Sequence, residues 1–417
     1  MGKQINFLSD FPAGKAIVLI TKIQNIAREN GSEARIVGGA VRDWLMGRPV
    51  EDIDMAINMP MTRFIDLLNE HKIKFYATGI AHGTVTVLQD DVSIELTQTR
   101  IDVNSNGRHS EVKETINWFM DANRRDFTVN AIYLTDDGIL YDPHNGELDI
   151  EHKKLKFIGN ADDRIEEDYL RILRAFRFIA CLPGFALPKS NVEAIRRHCH
   201  KLKTLSAERI TDEFSKWLSA ESPMVALSIA RKIGLDRYGF GFDFLLDNLK
   251  IAELENAFLQ LDWLARLAAI TRVRDKNKIY SLMQFSRRQR RRFERLMEGI
   301  TEVEAEGLAT KKWEQIAYWH ANDIQDLARI YSIRTGFMYG QNMLAEFDAF
   351  EKPKFPVSGE DLIQLGWKSG PQLGRKLVEL ERIWVLNDFK IPSDTNFLSK
   401  NLNKNINYLN RFRSHKF

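Results

Sequence analysis

Two neighbouring segments decide the fold of this chain: Arg35-Ile36-Val37-Gly38-Gly39-Ala40-Val41-Arg42-Asp43 and Glu51-Asp52-Ile53-Asp54. In the first, two glycines end a short apolar run and open a helical one, which predicts a strand, a tight turn and a short helix. In the second, two carboxylates stand two residues apart in another apolar run, predicted as a strand over Asp52–Ile57. Because residues i and i+2 of a strand face the same way, Asp52 and Asp54 are expected to point at one site beside the glycine turn.

Gly38 and Gly39 offer this site a place for phosphate. Without a Cβ they let backbone N–H groups approach a triphosphate, and the following helix presents its positive end, with Arg42 in its first turn. An Asp-x-Asp pair alone is most often two solvated acids at a strand end, and Gly-Gly alone is common in turns. Together, at this interval, they predict divalent metal beside a phosphate and hence a metal-dependent nucleotidyltransferase. Glu95, in a predicted neighbouring strand, is a candidate third catalytic carboxylate.

Length and composition indicate an ordinary globular protein. The chain has 417 residues and a formal net charge of +3, and 44% of its residues are hydrophobic. This length predicts about two to four domains. With only Cys181 and Cys199, neither a disulfide framework nor a disulfide-linked partner is expected. The N-terminus carries no apolar signal core and no apolar run nears a bilayer's thickness, so we expect a cytoplasmic protein without a membrane partner.

Periodicity divides the chain into an α/β part and a helical part. In the first, short strands alternate with helices, and hairpins are predicted at Asp90-Asp91 and Asp137-Gly138. In the second, single long helices are predicted over Ile165–Ala180, Ile251–Leu267 and Tyr280–Leu296. We predict a head over residues 1–150, a helical neck over 151–220, a helical body over 221–300 and a helical, RNA-binding tail over 301–417.

Basic residues cluster in the helical part. The run Arg287-Arg288-Gln289-Arg290-Arg291-Arg292 and the segment 400–417, which has no acidic residue, are local basic patches that can face RNA phosphates. A solvated helix face is an equally good interpretation of such a run. The candidate RNA-binding residues are Arg287, Arg288, Arg290, Arg291 and Arg292.

Four motifs in order resemble those of the class II nucleotidyltransferases of the polymerase β superfamily, which comprise tRNA CCA-adding enzymes and bacterial poly(A) polymerases. The two opening segments resemble the catalytic motif of that family. Arg124-Arg125-Asp126-Phe127-Thr128-Val129-Asn130-Ala131 resembles the motif that contacts the ribose. Asp142-Pro143 with Gly146 and Asp149 resembles the hinge between head and neck. Glu167-Asp168-Tyr169-Leu170-Arg171 resembles the motif whose side chains act as a base template.

This resemblance implies a polymerase β-like α/β head, a mixed sheet with packed helices, followed by an all-α neck, body and tail. It implies a two-metal Mg²⁺ site on Asp52 and Asp54. It also implies a flexible loop within Ile101–Asn117, containing Asp102, Gly107, Arg108 and His109, that helps the site switch from CTP to ATP. The nucleotide-binding residues that it implies are Gly38, Gly39, Arg42, Arg125, Asp126, Asn130, Asp168, Arg171 and Arg174.

The predicted template pair also has a direct physical interpretation. Asp168 and Arg171 are three residues apart on a predicted helix, so they are expected to share a face. A carboxylate accepts from an exocyclic amine and a guanidinium donates to ring acceptors, a pattern that fits cytosine and adenine and rejects guanine and uracil. The simpler interpretation is a surface ion pair. Likewise, Arg125 and Asp126 could form a structural ion pair with each other.

The expected reaction is attack of an RNA 3′-hydroxyl on the α-phosphate of CTP or ATP, which adds C, C and then A to tRNA and releases pyrophosphate. A poly(A) polymerase, extending RNA with AMP, shares every head motif and is the nearest alternative. An alternative of another class is a catalytically silent RNA-binding protein, against which intact Asp52, Asp54 and Arg42 argue.

Overall fold

The structure is a computed structural model that describes residues 11–80, 83–103, 111–249, 251–306, 312–337 and 341–392. The chain forms two compact units. The first is made by the chain up to Phe244 together with Asn277–Gln284, and the second by Leu245–Lys276 and the chain from Phe285 onward. The division into head, neck, body and tail remains a prediction.

The first unit begins with a helix that covers a mixed sheet. Helix α1 (Ala16–Glu29) buries Ile20, Ile23 and Ala27 on one stripe, and Gly31 follows it in the left-handed conformation that favours glycine. The sheet has seven strands in the order β3-β4-β5-β2-β1-β8-β9. They are β1 (Ala34–Val37), β2 (Asp54–Ile57), β3 (Lys74–Gly79), β4 (Thr84–Gln89), β5 (Val92–Gln98), β8 (Tyr133–Leu134) and β9 (Leu140–Tyr141). Both predicted hairpins are present, as β4–β5 and β8–β9, and the predicted α/β class is confirmed.

Strand register gathers distant residues in one row across the sheet. Val37 pairs with Asp54 on one side and Tyr133 on the other, and the parallel pairing of β2 with β5 sets Asp54 beside Glu95. Cross-strand neighbours face the same side of a sheet, so these four side chains share one face. Their neighbours Ile36, Met55 and Leu96 face the opposite way, into a large core that contains α1 and helix α3 (Met61–Glu70).

A two-stranded ribbon occupies part of the predicted flexible loop. Strands β6 (Arg100–Val103) and β7 (Glu111–Glu114) pair antiparallel, so part of the predicted loop, Asp102 included, is a paired ribbon, and a role of this segment in the switch from CTP to ATP stays a prediction. The other loop candidates, Gly107, Arg108 and His109, lie outside the described residues. The ribbon leads into helix α4 (Trp118–Asn123), whose first turn is capped by the side chain of Asn117.

The remaining helices of the first unit include a break between two helices at the predicted template. They are α2 (Gly39–Leu45), α5 (Gly146–Glu151), α6 (Ala161–Glu167), α7 (Leu170–Cys181), α8 (Lys189–His198), α9 (Ala207–Ser219) and α10 (Pro223–Ile233). The single helix predicted over Ile165–Ala180 is therefore wrong. The chain leaves α6 at Asp168 in an extended conformation, and α7 begins two residues later.

Gly146 is held where no other residue fits. A Cβ added there would lie 2.3 Å from the carbonyl oxygen of Thr128. Asp142 accepts from the backbone N–H of Gly146, and Asp149 accepts from the Thr128 hydroxyl at 2.7 Å. The segment that resembles the hinge thus packs α5 directly against the 3₁₀ turn Thr128–Asn130.

Among the described residues of the second unit, the regular secondary structure is all helical. Its helices are α11 (Ala252–Leu259), α12 (Trp263–Ile270), α14 (Arg287–Glu306), α15 (Trp313–His320), α16 (Ile324–Thr335), α17 (Gln341–Asp348), α18 (Gly359–Gln364) and α19 (Pro371–Leu386), and α13 (Lys276–Leu282) belongs to the first unit from Asn277 on. The predicted helices Ile251–Leu267 and Tyr280–Leu296 are each two helices. Asp262 caps α12 through the N–H groups of residues 264 and 265, and Ser286 and Gln289 cap α14 reciprocally.

The part of the chain that the structure describes contains neither a membrane-spanning helix nor a disulfide bond. None of the described helices is long and apolar enough to cross a membrane. Both cysteines are described and both are free thiols: Cys199 is buried and Cys181 is partly buried.

Candidate functional site

A cavity of about 630 Å³ opens on the first unit where the glycine turn meets the start of β2. It contains most of the predicted site residues in its wall: Gly38, Gly39, Arg42, Asp52, Asp54, Arg125, Asp126, Asn130 and Arg174. Arg48, Arg177 and Phe178 also line it. Three predicted site residues, Glu95, Asp168 and Arg171, are not part of this wall.

The glycine turn is open toward the cavity. Gly38 has a φ of +80°, which only glycine adopts without strain, and a Cβ built on it would lie 3.8 Å from Nη1 of Arg125. Arg42, one turn into α2, donates from Nη1 to Oδ1 of Asn130 at 2.7 Å and pairs with its neighbour Asp43. Its guanidinium is therefore fixed between the turn and the segment that resembles the ribose motif.

The acidic pair reaches the cavity differently from the prediction. Strand β2 begins at Asp54, so Asp52 precedes the strand and the argument from i and i+2 of one strand is wrong. Both carboxylates nevertheless line the same cavity. Partial burial, and then the charge of the adjacent Glu95, raise the pKa of Asp54, while Arg125 acts in the opposite direction. Burial and a second carboxylate therefore both disfavour the charged form of Asp54.

Arg125 and Asp126 have different partners, so the structural ion pair considered between them is wrong. Arg125 donates from Nε to the Tyr133 hydroxyl at 2.9 Å and from Nη2 to Asp121 at 3.3 Å. Asp126 accepts from Arg174 at 2.7 Å from Nε and 2.6 Å from Nη2. The two adjacent residues thus anchor two separate parts of the cavity wall.

The Asp126 carboxylate is the centre of a buried network. It also accepts from the Asn130 amide at 3.2 Å and from the backbone N–H of Phe127 at 2.8 Å. Burial alone would raise the pKa of Asp126, but the Arg174 guanidinium and these donors outweigh it and lower the pKa to about 2. Since Asn130 also accepts from Arg42, one chain of contacts joins α2, the 3₁₀ turn and α7.

Asp168 lies in the break between α6 and α7 instead of on a helix. Oδ1 accepts from the backbone N–H of Leu170 at 3.0 Å, which caps α7, and Oδ2 accepts from Arg209 of α9 at 2.7 Å. Arg171 is inside α7, so the expectation that the two share one helix face is wrong.

Arg171 is buried and donates only to protein groups among the described residues. Its Nη1 bonds to Glu167 at 2.7 Å and to the carbonyl of Arg164 at 2.8 Å, and Nη2 bonds to the carbonyl of Arg124 at 2.9 Å. The interpretation of Asp168 and Arg171 as a surface ion pair is wrong too, because each side chain pairs elsewhere.

Two residues of α9, Arg209 and Glu213, complete the surroundings of the site and were not predicted. Arg209 holds Asp168, and the buried Glu213 accepts from Arg174 at 3.4 Å and lies 2.8 Å from Nε of Arg177. One signal for Glu213 exists in the sequence, because it interrupts the apolar stripe of α9. A carboxylate on a buried stripe requires a cationic partner. The spacing could not identify that partner, which is some 40 residues away.

The candidate RNA-binding run divides into exposed and internal residues. Arg287, Arg288, Arg290 and Arg291 are exposed on α14, and Arg290 pairs with Glu294 at 3.4 Å. Arg292 instead turns inward and forms ion pairs with three carboxylates, Asp262, Asp323 and Asp326. Its guanidinium is therefore part of the framework of the second unit, while a contact of Arg292 with RNA stays a prediction.

Comparisons with known proteins agree with this arrangement. Two family models match the chain: "Poly A polymerase head domain" over residues 34–156, and "Probable RNA and SrmB- binding site of polymerase A" over residues 184–240.

Similar proteins extend the match to nearly the whole chain. The CCA tRNA nucleotidyltransferase 1, mitochondrial, of Danio rerio is 32% identical and covers 89% of this chain and 88% of its own length. A CCA-adding enzyme of Streptococcus pyogenes is 31% identical, over 88% of this chain and 91% of its own length. The crystal structure of the Bacillus stearothermophilus CCA-adding enzyme in complex with CTP is 26% identical, with a TM-score of 0.67 over 90% of this chain and 94% of that one.

We predict that Asp126→Asn lowers the free energy of unfolding at pH 7 by about 2 kcal/mol, because the ionised carboxylate is stabilised by Arg174 only in the folded state. A folded pKa below the unfolded value contributes stability that is present above the unfolded pKa, near 4, and is lost as the pH falls toward about 2. The difference between the two proteins should therefore shrink over that interval, as measured by urea unfolding.

The matched control is Asp212→Asn, since Asp212 is an exposed carboxylate of α9 paired with Lys216. It should change stability little at any pH. A constant difference between Asp126→Asn and the wild type from pH 7 to pH 2 would contradict the ion pair.

Proposed function

Because the chain belongs to the CCA tRNA nucleotidyltransferase family, we propose that it adds C, C and A to the 3′ end of tRNA, using CTP and ATP and releasing pyrophosphate. The observation that carries this proposal is the cavity itself. It combines an open glycine turn, the carboxylates of Asp52 and Asp54, and arginines held by buried acids. That is the set of groups that nucleotidyl transfer needs.

The carboxylates fit a divalent metal, and we propose Mg²⁺ held by Asp52 and Asp54. Asp52 and Asp54 supply carboxylate oxygens to the same cavity, and these are hard donors of the kind that Mg²⁺ prefers. Among the described residues no three His, Cys, Asp or Glu side chains converge into a ready ligand set. Mg²⁺ would therefore take its other ligands from phosphate oxygens and water, as it prefers. When bound, it lowers the pKa of the attacking hydroxyl and stabilises the leaving oxygen.

The protein's own groups position the nucleotide. The backbone at Gly38 and Gly39 can approach the triphosphate, and the guanidiniums of Arg42, Arg125 and Arg174 can donate to its oxygens. In the reaction, the RNA 3′-oxygen forms a bond to the α-phosphorus while the bond to pyrophosphate breaks. Asn130 keeps Arg42 oriented, and Asp126 does the same for Arg174, so both cations are fixed before the nucleotide arrives.

We propose that Asp168 and Arg171 read the base, with one condition set by their present contacts. Arg171 donates to Glu167 and to two backbone carbonyls, and neither Asp168 nor Arg171 lies in the cavity wall. Base reading therefore requires these side chains to exchange some protein partners for the base edge. Arg209 and Glu167 are the groups that would hold the pair during that exchange.

We propose that the helical parts of the chain bind the RNA.

Extension of RNA with AMP is the second candidate function, because one family model is named for a poly A polymerase and the other for polymerase A. The relatives that cover most of the chain carry the CCA-adding name, which favours CCA addition. A head, neck, body and tail with the predicted boundaries, and a cytoplasmic location, are kept as proposals; limited proteolysis and cell fractionation would test them.

The assay is incubation with tRNA that lacks its 3′ end, with CTP and ATP together or singly, and sizing of the product. Three added residues support CCA addition. Two mean CC addition, one on a CC-ended tRNA means A addition, and a long ladder means polyadenylation. Absence of any addition, with tRNA still bound, would support the catalytically silent alternative.

We predict that Asp52→Ala abolishes nucleotide addition, with at least a 10³-fold loss in rate, while tRNA binding survives. The physical reason is loss of a metal ligand without loss of the RNA surface. Asp66→Ala, which removes an exposed carboxylate from α3 on the far face of the sheet, is the matched control and should retain full activity. Substantial residual activity in Asp52→Ala would overturn the assigned role.

We predict that Asp168→Asn lowers discrimination between CTP and UTP by about tenfold or more. Asparagine remains a good N-cap, so α7 is kept, while an amide N–H₂ replaces one acceptor oxygen. The measurement is kcat/KM for each nucleotide on the same tRNA. Unchanged discrimination together with unchanged stability would reject the templating role.

We predict that the triple variant R287A/R288A/R291A weakens tRNA binding by about tenfold and lowers its salt dependence, because exposed guanidiniums release counterions from RNA phosphates. The fold should be unaffected. Arg292→Ala, one residue further on, is the matched control: it should destabilise the second unit, because it removes a cationic partner from Asp262, Asp323 and Asp326. Unaltered tRNA affinity in the triple variant would exclude this surface.

A further inference from the structure

Asp121 of α4 is a fully buried carboxylate that the proposed chemistry leaves without a role. Its side chain has 0% exposure, and it is absent from the cavity wall. A buried carboxylate costs several kcal/mol unless its oxygens are paired with cations and hydrogen-bond donors. Its partners therefore indicate what the residue is for.

One oxygen of Asp121 faces Arg125, a residue of the cavity wall. Oδ2 accepts from the Tyr133 hydroxyl at 2.7 Å and from Nη2 of Arg125 at 3.3 Å. The same hydroxyl accepts from Nε of Arg125 at 2.9 Å, so the three groups close a small ring of contacts. The Arg125 guanidinium is thereby held at two of its nitrogens, from the side away from the cavity.

The other oxygen fixes the carboxylate itself. Oδ1 accepts from Nε of Arg124 at 2.8 Å and from the backbone N–H of Arg100 at 3.2 Å. Arg100 is the first residue of β6, so the ribbon, α4 and the following turn meet at one carboxylate. Burial alone would raise the pKa of Asp121, but Arg125, Arg124 and Tyr133 outweigh it and lower the pKa. Asp121 therefore stays charged beside Arg125.

The register of the sheet places the group formed by Asp121, Tyr133 and Arg125 on the same side of the sheet as Asp54. Tyr133 lies in the cross-strand row that contains Val37 and Asp54 and faces the same side. Arg125 and Asp54 both line the cavity. Nη1 of Arg125 would also lie 3.8 Å from a Cβ at Gly38. A small turn of the guanidinium would move it from the glycine turn, where a triphosphate would bind.

We propose that Asp121 is a positioning residue that acts through Arg125: together with Tyr133 it holds the guanidinium toward the glycine turn and Asp54, so that nucleotide binds to a preset cation. This inference rests on the proposed nucleotide chemistry of the cavity. It assigns to Asp121 no contact with the substrate.

The test measures equilibrium binding of CTP and ATP to the full chain in the absence of RNA, at a temperature where every variant is folded. Asp121→Asn keeps the shape of the side chain and removes its charge. We expect about tenfold weaker binding of both nucleotides, because Arg125 loses its charged anchor. Tyr133→Phe, which removes only the bridging hydroxyl, should give a smaller loss in the same direction and serves if Asp121→Asn fails to fold.

A double-mutant cycle distinguishes positioning from general stability. In an Arg125→Gln background, Asp121→Asn should cause no further loss of nucleotide affinity, because the group through which it acts is gone. A further loss equal to that in the wild type would overturn the proposal, as would unchanged binding in both Asp121→Asn and Tyr133→Phe. Asp236→Asn is the matched control, since Asp236 is buried and bonded only to the backbone N–H groups of Arg237 and Phe244; it should lower stability and leave nucleotide affinity intact.

Failure of this inference and failure of the proposed function are separable. If the wild-type protein binds neither CTP nor ATP, the proposed function itself is overturned. If the wild type binds both and the cycle is additive, only the positioning role of Asp121 is lost.

Discussion

Three arginines of the cavity wall are each held by a buried acid, and this pairing of charges is the constraint on which the site depends. Arg125 is held by Asp121, Arg174 by Asp126 and Glu213, and Arg177 by Glu213. A guanidinium left without a partner in this wall would be costly to desolvate and would take several orientations. With a fixed partner, it presents a defined set of donors to whatever binds in the cavity.

These pairs also connect elements that the sheet alone would leave independent. The α7 helix supplies Arg174 and Arg177, α9 supplies Glu213, and the segment after α4 supplies Asp126. The site is therefore assembled from both the sheet and the helices that follow it. Because the pairs lie in a place of low dielectric, removing one partner leaves the other as a buried uncompensated charge. A substitution at one acid should consequently affect both stability and the orientation of an arginine several elements away.

Local patterns in the sequence predicted the glycine turn and the start of α2. Both depend on neighbours within a few residues, where period and turn chemistry are informative. The prediction failed where a polar side chain ended one helix and began another. Asp168, Asp262 and Ser286 each interrupt a segment whose apolar period continues across the break, so periodicity alone predicted one helix where two exist. In each case the interrupting residue is a favoured N-cap, and giving it more weight would have found the break.

The ion pairs were beyond prediction for another reason. Arg125 and Asp126 are adjacent in sequence, and so are Arg291 and Arg292, yet the two members of each pair have different partners. Arg291 is exposed while Arg292 meets three carboxylates from other helices. Sequence shows which residues carry charge, but a cation's function depends on whether the fold gives it an internal partner. In this protein the carboxylates make that distinction: Asp262, Asp323 and Asp326 take Arg292 into the framework of the second unit, while Asp121 and Asp126 hold Arg125 and Arg174 at the cavity wall. The same type of contact thus belongs to the framework in one place and to the wall of a cavity in another.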